Sequence, residues 1–180
     1  MSIKPLLSTS EIQKIVGKMQ VEKFHSPVIE NAKDFINSWE QDVLSISKSG
    51  MVYEFEVKIS RGDFKADLKK KCRYYNDNGI TPTKHEFYCD PLNYKSTPNY
   101  YSYVCADGLI KLGELPASAG LYYIKDGHLI EQCKPKQLHK NIHERTKIVD
   151  KVCRLTSERY FLGGSRMTVE NKKGAEAWDR

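Results

Sequence analysis

No apolar run in this chain approaches the ~20 residues that a membrane helix needs. Met1-Ser2-Ile3-Lys4-Pro5 lacks the apolar core of a secretory signal. The five cysteines are odd in number and widely scattered, which argues against a disulfide framework. Reduced thiols in a cytosol-like compartment are the expectation. Neither Cys-x-x-Cys nor His-Glu-x-x-His occurs, so a compact zinc motif is missing. A glycine-rich phosphate loop is missing too, which argues against an NTPase. No internal repeat is evident, and no cysteine has the setting of a nucleophile.

What is present is an ordinary soluble composition with a basic bias. The 180 residues are 39% apolar and 11% aromatic, with a formal charge of +6. That length suits one domain with a real core, expected over residues 1–164. The polar stretch from Ser165 to Arg180 reads as a flexible tail.

The most informative stretch runs from Asp42 to Lys58. Residues 42–47 and 51–58 are rich in Val, Leu, Ile, Tyr and Phe and read as two strands. Lys48-Ser49-Gly50 between them suits a three-residue hairpin loop whose last residue is left-handed, the position of Gly50. Pairing Ser47 with Met51 then sets Asp42 opposite Glu56. Opposed Cβ atoms lie about 4.5–5.5 Å apart. Lys58 shares the face of Glu56, while Val57 points away. A loop shorter by one residue would separate Asp42 from Glu56. Leu44, Ile46 and Val52 fall on one face and Val43, Tyr53, Phe55 and Val57 on the other, so both faces should be covered by helices. Carboxylates at the end of such a sheet need a cationic partner, and a divalent metal would supply one. Taken alone, Glu56-Val57-Lys58 reads first as an ion pair on a solvated surface. Glu54, one pleat from Glu56, reads as an ion-pair partner of Lys or Arg.

The pattern then turns helical. Phe64, Leu68, Cys72 and Tyr75 make one apolar stripe, with Ser60 or Asp63 to cap its start. Lys65, Lys69, Lys70, Lys71 and Arg73 lie on the opposite face. Lys58 to Arg73 holds seven basic and two acidic residues, most of the chain's excess charge. A basic helix beside a carboxylate cluster suits a polyanion held against a metal.

Elsewhere, Ser8-Thr9-Ser10 caps a helix expected from Glu11 to Lys23, with Ile12, Ile15, Val16 and Met19 on one side. Phe35-Ile36 reads as a short edge strand. Residues 76–98 read as loop around a His85–Cys89 strand. Residues 99–106 read as a buried strand parallel to the Glu56 strand. Residues 119–124 form another, with Asp126-Gly127 turning into a returning strand from His128. A last helix is expected from Leu138 to Tyr160, stopped by Gly163-Gly164. His139 and His143 would share one face of it, within reach of zinc if Cys133 or Cys153 joined them. Tyr100, Tyr101, Tyr103, Tyr122 and Tyr123 could stack on bases, although core packing fits their alternation better.

At this point a resemblance appears. Asp42, Glu56-Val57-Lys58 and the Ser60-Arg61-x-Asp63-Phe64-x-x-Asp67-x-Lys69-Lys70 run resemble the PD-(D/E)XK nuclease superfamily. Trp39-Glu40-Gln41-Asp42, Pro98-Asn99-Tyr100-Tyr101-Ser102-Tyr103-Val104-Cys105, Gly108-Leu109-Ile110 and Ala119-Gly120-Leu121-Tyr122-Tyr123-Ile124 resemble more narrowly its MmcB-like branch of bacteria and their phages. Gln41 stands where the family often has proline, a position that ligates nothing. The resemblance implies an α/β fold with a restriction-endonuclease-like core, a mixed central β-sheet flanked by helices. It implies an Mg²⁺- or Mn²⁺-dependent endonuclease acting on DNA, with RNA an open alternative, in the cytoplasm of a bacterial or phage-infected host cell. Asp42, Glu56 and the Val57 carbonyl would hold the metal, and Lys58 would orient the attacking water. A further metal-binding glutamate is common in the family; Glu11, Glu22 and Glu40 are candidates. Arg61, Lys65, Lys69, Lys70, Lys71 and Arg73 would hold the nucleic acid. A homodimer is compatible with the sequence, a membrane partner is not. Two other readings stay open: a non-catalytic nucleic-acid-binding protein on the same scaffold, and a phage adaptor that uses its tyrosine-rich strands as an interface.

Overall fold

A computed structural model describes residues 7–24, 26–33, 35–36, 40–72 and 81–162. Trp39, Arg73, Tyr75, the Gly163-Gly164 stop and the expected tail lie outside the described residues.

Six strands form one mixed sheet in chain order: β1 (Val28–Lys33), β2 (Glu40–Ile46), β3 (Val52–Lys58), β4 (Tyr100–Ala106), β5 (Gly120–Lys125) and β6 (His128–Cys133). The β2–β3 hairpin is antiparallel, and β3–β4–β5 run parallel. This is the α/β architecture expected, with helices on both faces. Among the described residues no helix is long and apolar enough to cross a membrane.

The alternation of the strands decides which helix covers what. Val43, Phe55, Val57 and Val104 face α1 (Thr9–Phe24), whose Ile12 and Val16 are buried against them. On the other face, Ile148 and Val152 of α4 (Arg145–Leu162) pack on Ile29, Leu44, Ile46 and Val52. Further along that face, Phe64 of α2 (Arg61–Leu68) and Phe87 and Tyr88 of α3 (Lys84–Cys89) pack on Tyr101, Tyr103, Cys105 and Leu121. Fully burying one such side chain contributes about 1.5–3 kcal/mol.

Four local expectations are corrected. The edge strand is Val28–Lys33; Phe35 and Ile36 follow it as a bend and pack on the α4 side of the sheet. The helix after Ser60 ends at Leu68 instead of continuing to Tyr75. Lys69 and Lys70 donate their N–H groups three residues back, to Ala66 and Asp67, which tightens the last turn. Lys71 then pairs with Thr83 in an isolated bridge, and Cys72 is buried without being helical. The segment read as a His85–Cys89 strand is helical. Thr83 and Glu86 form a capping box that satisfies the first N–H groups and starts a helix there. Finally, α4 starts at Arg145, so His139 and His143 are not on a helix. Residues 138–143 instead strap across the sheet end. Asn99 accepts from the Val52 N–H and donates to the carbonyls of His139 and Asn141 at 3.1 and 2.8 Å. That use of the backbone replaces helical bonding.

The β2–β3 turn is as its residues require. The Ser47 N–H donates to the Met51 carbonyl, the Gly50 N–H donates to Ser47, and Gly50 has φ +85°. A Cβ at Gly50 would lie 3.1 Å from the His143 carbonyl oxygen. Gly50→Ala should therefore lower stability by about 1–3 kcal/mol in urea unfolding. An unchanged midpoint would mean that this turn does not set the hairpin.

Candidate metal and phosphate site

The hairpin register pairs Val43 with Phe55 and Leu44 with Glu54, and one further step sets Asp42 opposite Glu56. Asp42 is half-buried; Glu56 and Lys58 are 5% and 4% exposed. All three line one cleft of about 470 Å³, together with Val57, Asp63, Asp67 and Lys70. Asp42 Oδ2 accepts the Val57 N–H at 2.7 Å, and the Gln13 amide of α1 donates to the Asp42 carbonyl at 3.1 Å. The aspartate is thus fixed from the neighbouring strand and from the helix behind it.

The site is an ionic network rather than a pair. Lys58 Nζ lies 2.9 Å from Glu56 Oε1 and 3.6 Å from both Asp63 and Asp67. Lys84 of α3, wholly buried, lies 2.9 Å from Glu56 Oε2, 3.2 Å from Glu54 and 3.9 Å from Asp67. Tyr103 donates to Asp67 at 2.6 Å, and Tyr88 donates to Glu54. The Tyr103 hydroxyl also lies 2.8 Å from His85 Nε2. Among the described residues five carboxylates (Asp42, Glu54, Glu56, Asp63, Asp67) therefore share two buried ammonium groups.

The titration of these groups follows from that imbalance. Burial, then the charge of Glu56, pushes Asp42 up to about 6. Burial also pushes Glu54 up, to about 7, against the pull of Lys84. Asp67 moves the other way: burial opposes ionisation, but Lys84, Lys58 and the Tyr103 hydroxyl together hold it below the usual carboxylate range. Burial lowers His85 to about 4, so its ring is neutral at pH 7. For Lys84 burial is overcome by Glu56 and Glu54, and the group stays protonated.

The remaining candidates divide. Lys65, Lys69 and Lys71 are exposed, and Lys70 lies in the cleft. Arg61 is held by Glu114 and the Leu109 carbonyl. Glu40 is exposed at the start of β2, outside the cleft lining. Glu11 caps α1 through Ser8, and Glu22 pairs with Lys18. Tyr101 and Tyr103 are buried and offer no face to a base or a protein. Among the described residues no three His, Cys, Asp or Glu side chains gather as a ready metal cage. Asp42 and Glu56 put two carboxylates on the cleft, hard oxygen ligands of a kind that suits an ion retaining several waters. Sequence reading missed Lys84 and His85. Asp67 falls within the motif run, and its position there does not by itself signal the contacts with Lys58, Lys84 and Tyr103.

No family model matches the chain, and no curated protein matches it. Among solved structures it is similar to a protein of unknown function from Silicibacter pomeroyi, with a TM-score of 0.59 and 14% identity over 93% of this chain and 99% of that one. At that identity the likeness concerns the fold alone.

Asp42 has a higher folded than unfolded pKa, so the native state holds its proton from about pH 4 to 6, and ionisation above that costs stability. In chelator, Asp42→Asn should be more stable than wild type by up to about 3 kcal/mol at pH 8. The difference should shrink to well under 1 kcal/mol near pH 4. Urea unfolding across that range tests it, and a pH-independent difference contradicts the assignment.

Proposed function

We propose that this chain is a metal-dependent endonuclease of the PD-(D/E)XK type that hydrolyses phosphodiester bonds in DNA. The observation that carries the reading is the convergence of Asp42, Glu56 and Lys58 on one cleft, with carboxylates in excess of ammonium groups. Asp42, Glu56 and the Val57 carbonyl are the residues that would hold Mg²⁺ or Mn²⁺. Such an ion lowers the pKa of a bound water and polarises a phosphoryl oxygen.

The chain's own groups have distinct parts. Asp42, tied by the Val57 N–H, orients one carboxylate toward the cleft. Lys58 meets the non-bridging oxygen of the scissile phosphate and steadies the attacking water. Its salt bridges to Asp63 and Asp67 set where that ammonium rests between encounters. Lys70 in the cleft, and Lys65, Lys69 and Lys71 outside it, hold the flanking backbone. Arg61 contributes only if substrate displaces Glu114.

A non-catalytic nucleic-acid-binding protein is the second reading. One observation favours it: each Glu56 oxygen already faces an ammonium group, at 2.9 Å. The two readings separate in one assay. Duplex, branched and single-stranded DNA are incubated with Mg²⁺ or Mn²⁺ and wild type, Asp42→Ala, Glu56→Ala or Lys58→Ala. Cleavage should fall by about 100-fold or more in each variant. Cleavage that survives all three substitutions discards the nuclease; salt-sensitive binding without cleavage in any metal selects the binder.

A further inference from the structure

We infer that Lys84 is a built-in cation standing where a second metal ion would otherwise bind, which makes the centre a one-ion site. The inference rests on the nuclease reading and refines it. Lys84 Nζ is surrounded by three carboxylates from two elements: Glu56 Oε2 at 2.9 Å and Glu54 Oε1 at 3.2 Å from β3, and Asp67 Oδ1 at 3.9 Å from α2. With Lys84 in place these groups form no metal cage; were the ammonium removed, Glu56 and Glu54, with Asp67 farther out, would offer a divalent ion hard oxygen ligands. The ammonium that fills this space arrives from a third element and is 0% exposed.

Its position is built rather than incidental. The Thr83–Glu86 capping box fixes the first turn of α3, and the Lys84 N–H donates to the Lys70 carbonyl at 2.7 Å, tying that turn to the segment just after α2. The ammonium also lies 4.7 Å from the centre of the Tyr101 ring, which closes the space on that side. A group sealed in this way touches no substrate, so Lys84 is a positioning residue.

Glu56 divides the cluster in two. Its Oε2 belongs to Lys84, away from the cleft, while its Oε1 belongs to Lys58, which lines the cleft with Asp42. The inner half is satisfied by a fixed charge. The outer half relies on Lys58, which lines the open cleft and can be displaced by an incoming divalent ion, freeing Oε1 for an ion shared with Asp42. An ammonium and a divalent ion a few ångströms apart repel strongly and compete for the same oxygens. While Lys84 is present, only the outer ion has a place.

The test counts Mn²⁺ bound to the full-length chain without nucleic acid, by electron paramagnetic resonance and calorimetric titration. Wild type should bind one ion per chain, and Asp42→Asn should weaken it at least tenfold. Lys84→Ala should bind two ions, and adding Glu54→Gln should return the count to one. If Lys84→Ala unfolds in chelator, millimolar Mn²⁺ should restore its far-ultraviolet circular dichroism, because the ion replaces the lost ammonium. A folded Lys84→Ala that binds one ion, an unfolded one that Mn²⁺ does not restore, or a wild type that binds two ions overturns the inference and leaves the nuclease reading standing. A wild type that binds no ion overturns both.

Discussion

The structure turns on a shortage of positive charge beneath a sheet covered on both faces. Asp42, Glu54, Glu56, Asp63 and Asp67 are drawn together by elements that fold for other reasons, and Lys58 and Lys84 are the ammonium groups buried among them. Burying a carboxylate without a partner is costly. The network lowers that cost at its inner end, where Lys84, Tyr88 and Tyr103 meet Glu54 and Asp67. It leaves the imbalance at its outer end, where Asp42 keeps its proton up to about pH 6 and a cleft admits solvent. Groups perturbed this unequally cluster at functional sites, and structural ion-pair networks also produce them.

The fold serves this arrangement through a few backbone devices. Gly50 in the left-handed region sets the register that brings Asp42 beside Glu56. The parallel β3–β4 pair, joined through α2 and α3, brings Asp67, Lys84 and the β4 tyrosines onto the face of Glu56. The strap at residues 138–143, held by Asn99, closes the opposite end of the same two strands and packs against Gly50. Apolar packing on both faces supplies the stability that a buried ionic cluster does not provide by itself.

Much of this was legible in the sequence, and the parts that were not share a cause. The hairpin could be read because register depends on local loop length and one glycine. The parallel β3–β4 pairing followed from strand–helix–strand alternation, and the β5–β6 hairpin from the Asp126-Gly127 turn, whose φ angles of 52° and 80° match what that dipeptide favours; the place of β5 beside β4 was not readable. Lys84 could not be read because its role exists only once α3 packs on β3, and nothing local distinguishes it from the lysines of 69–71. The helix starting at Lys84 could have been found from Thr83-x-x-Glu86. The late start of α4 could not, since the carbonyls of His139 and Asn141 are claimed by Asn99, some forty residues away in sequence. Short-range patterns carried what short-range forces decide; the partners of buried charges were decided by packing.

The central claim is that the outer carboxylates share one cation. Anomalous diffraction from a crystal soaked in Mn²⁺ at pH 8 tests it most directly. The account predicts a single peak between the carboxylates of Asp42 and Glu56, within coordination distance of the Val57 carbonyl. Saturating Mn²⁺ with no peak there, and Lys58 still seated on Glu56, would contradict it.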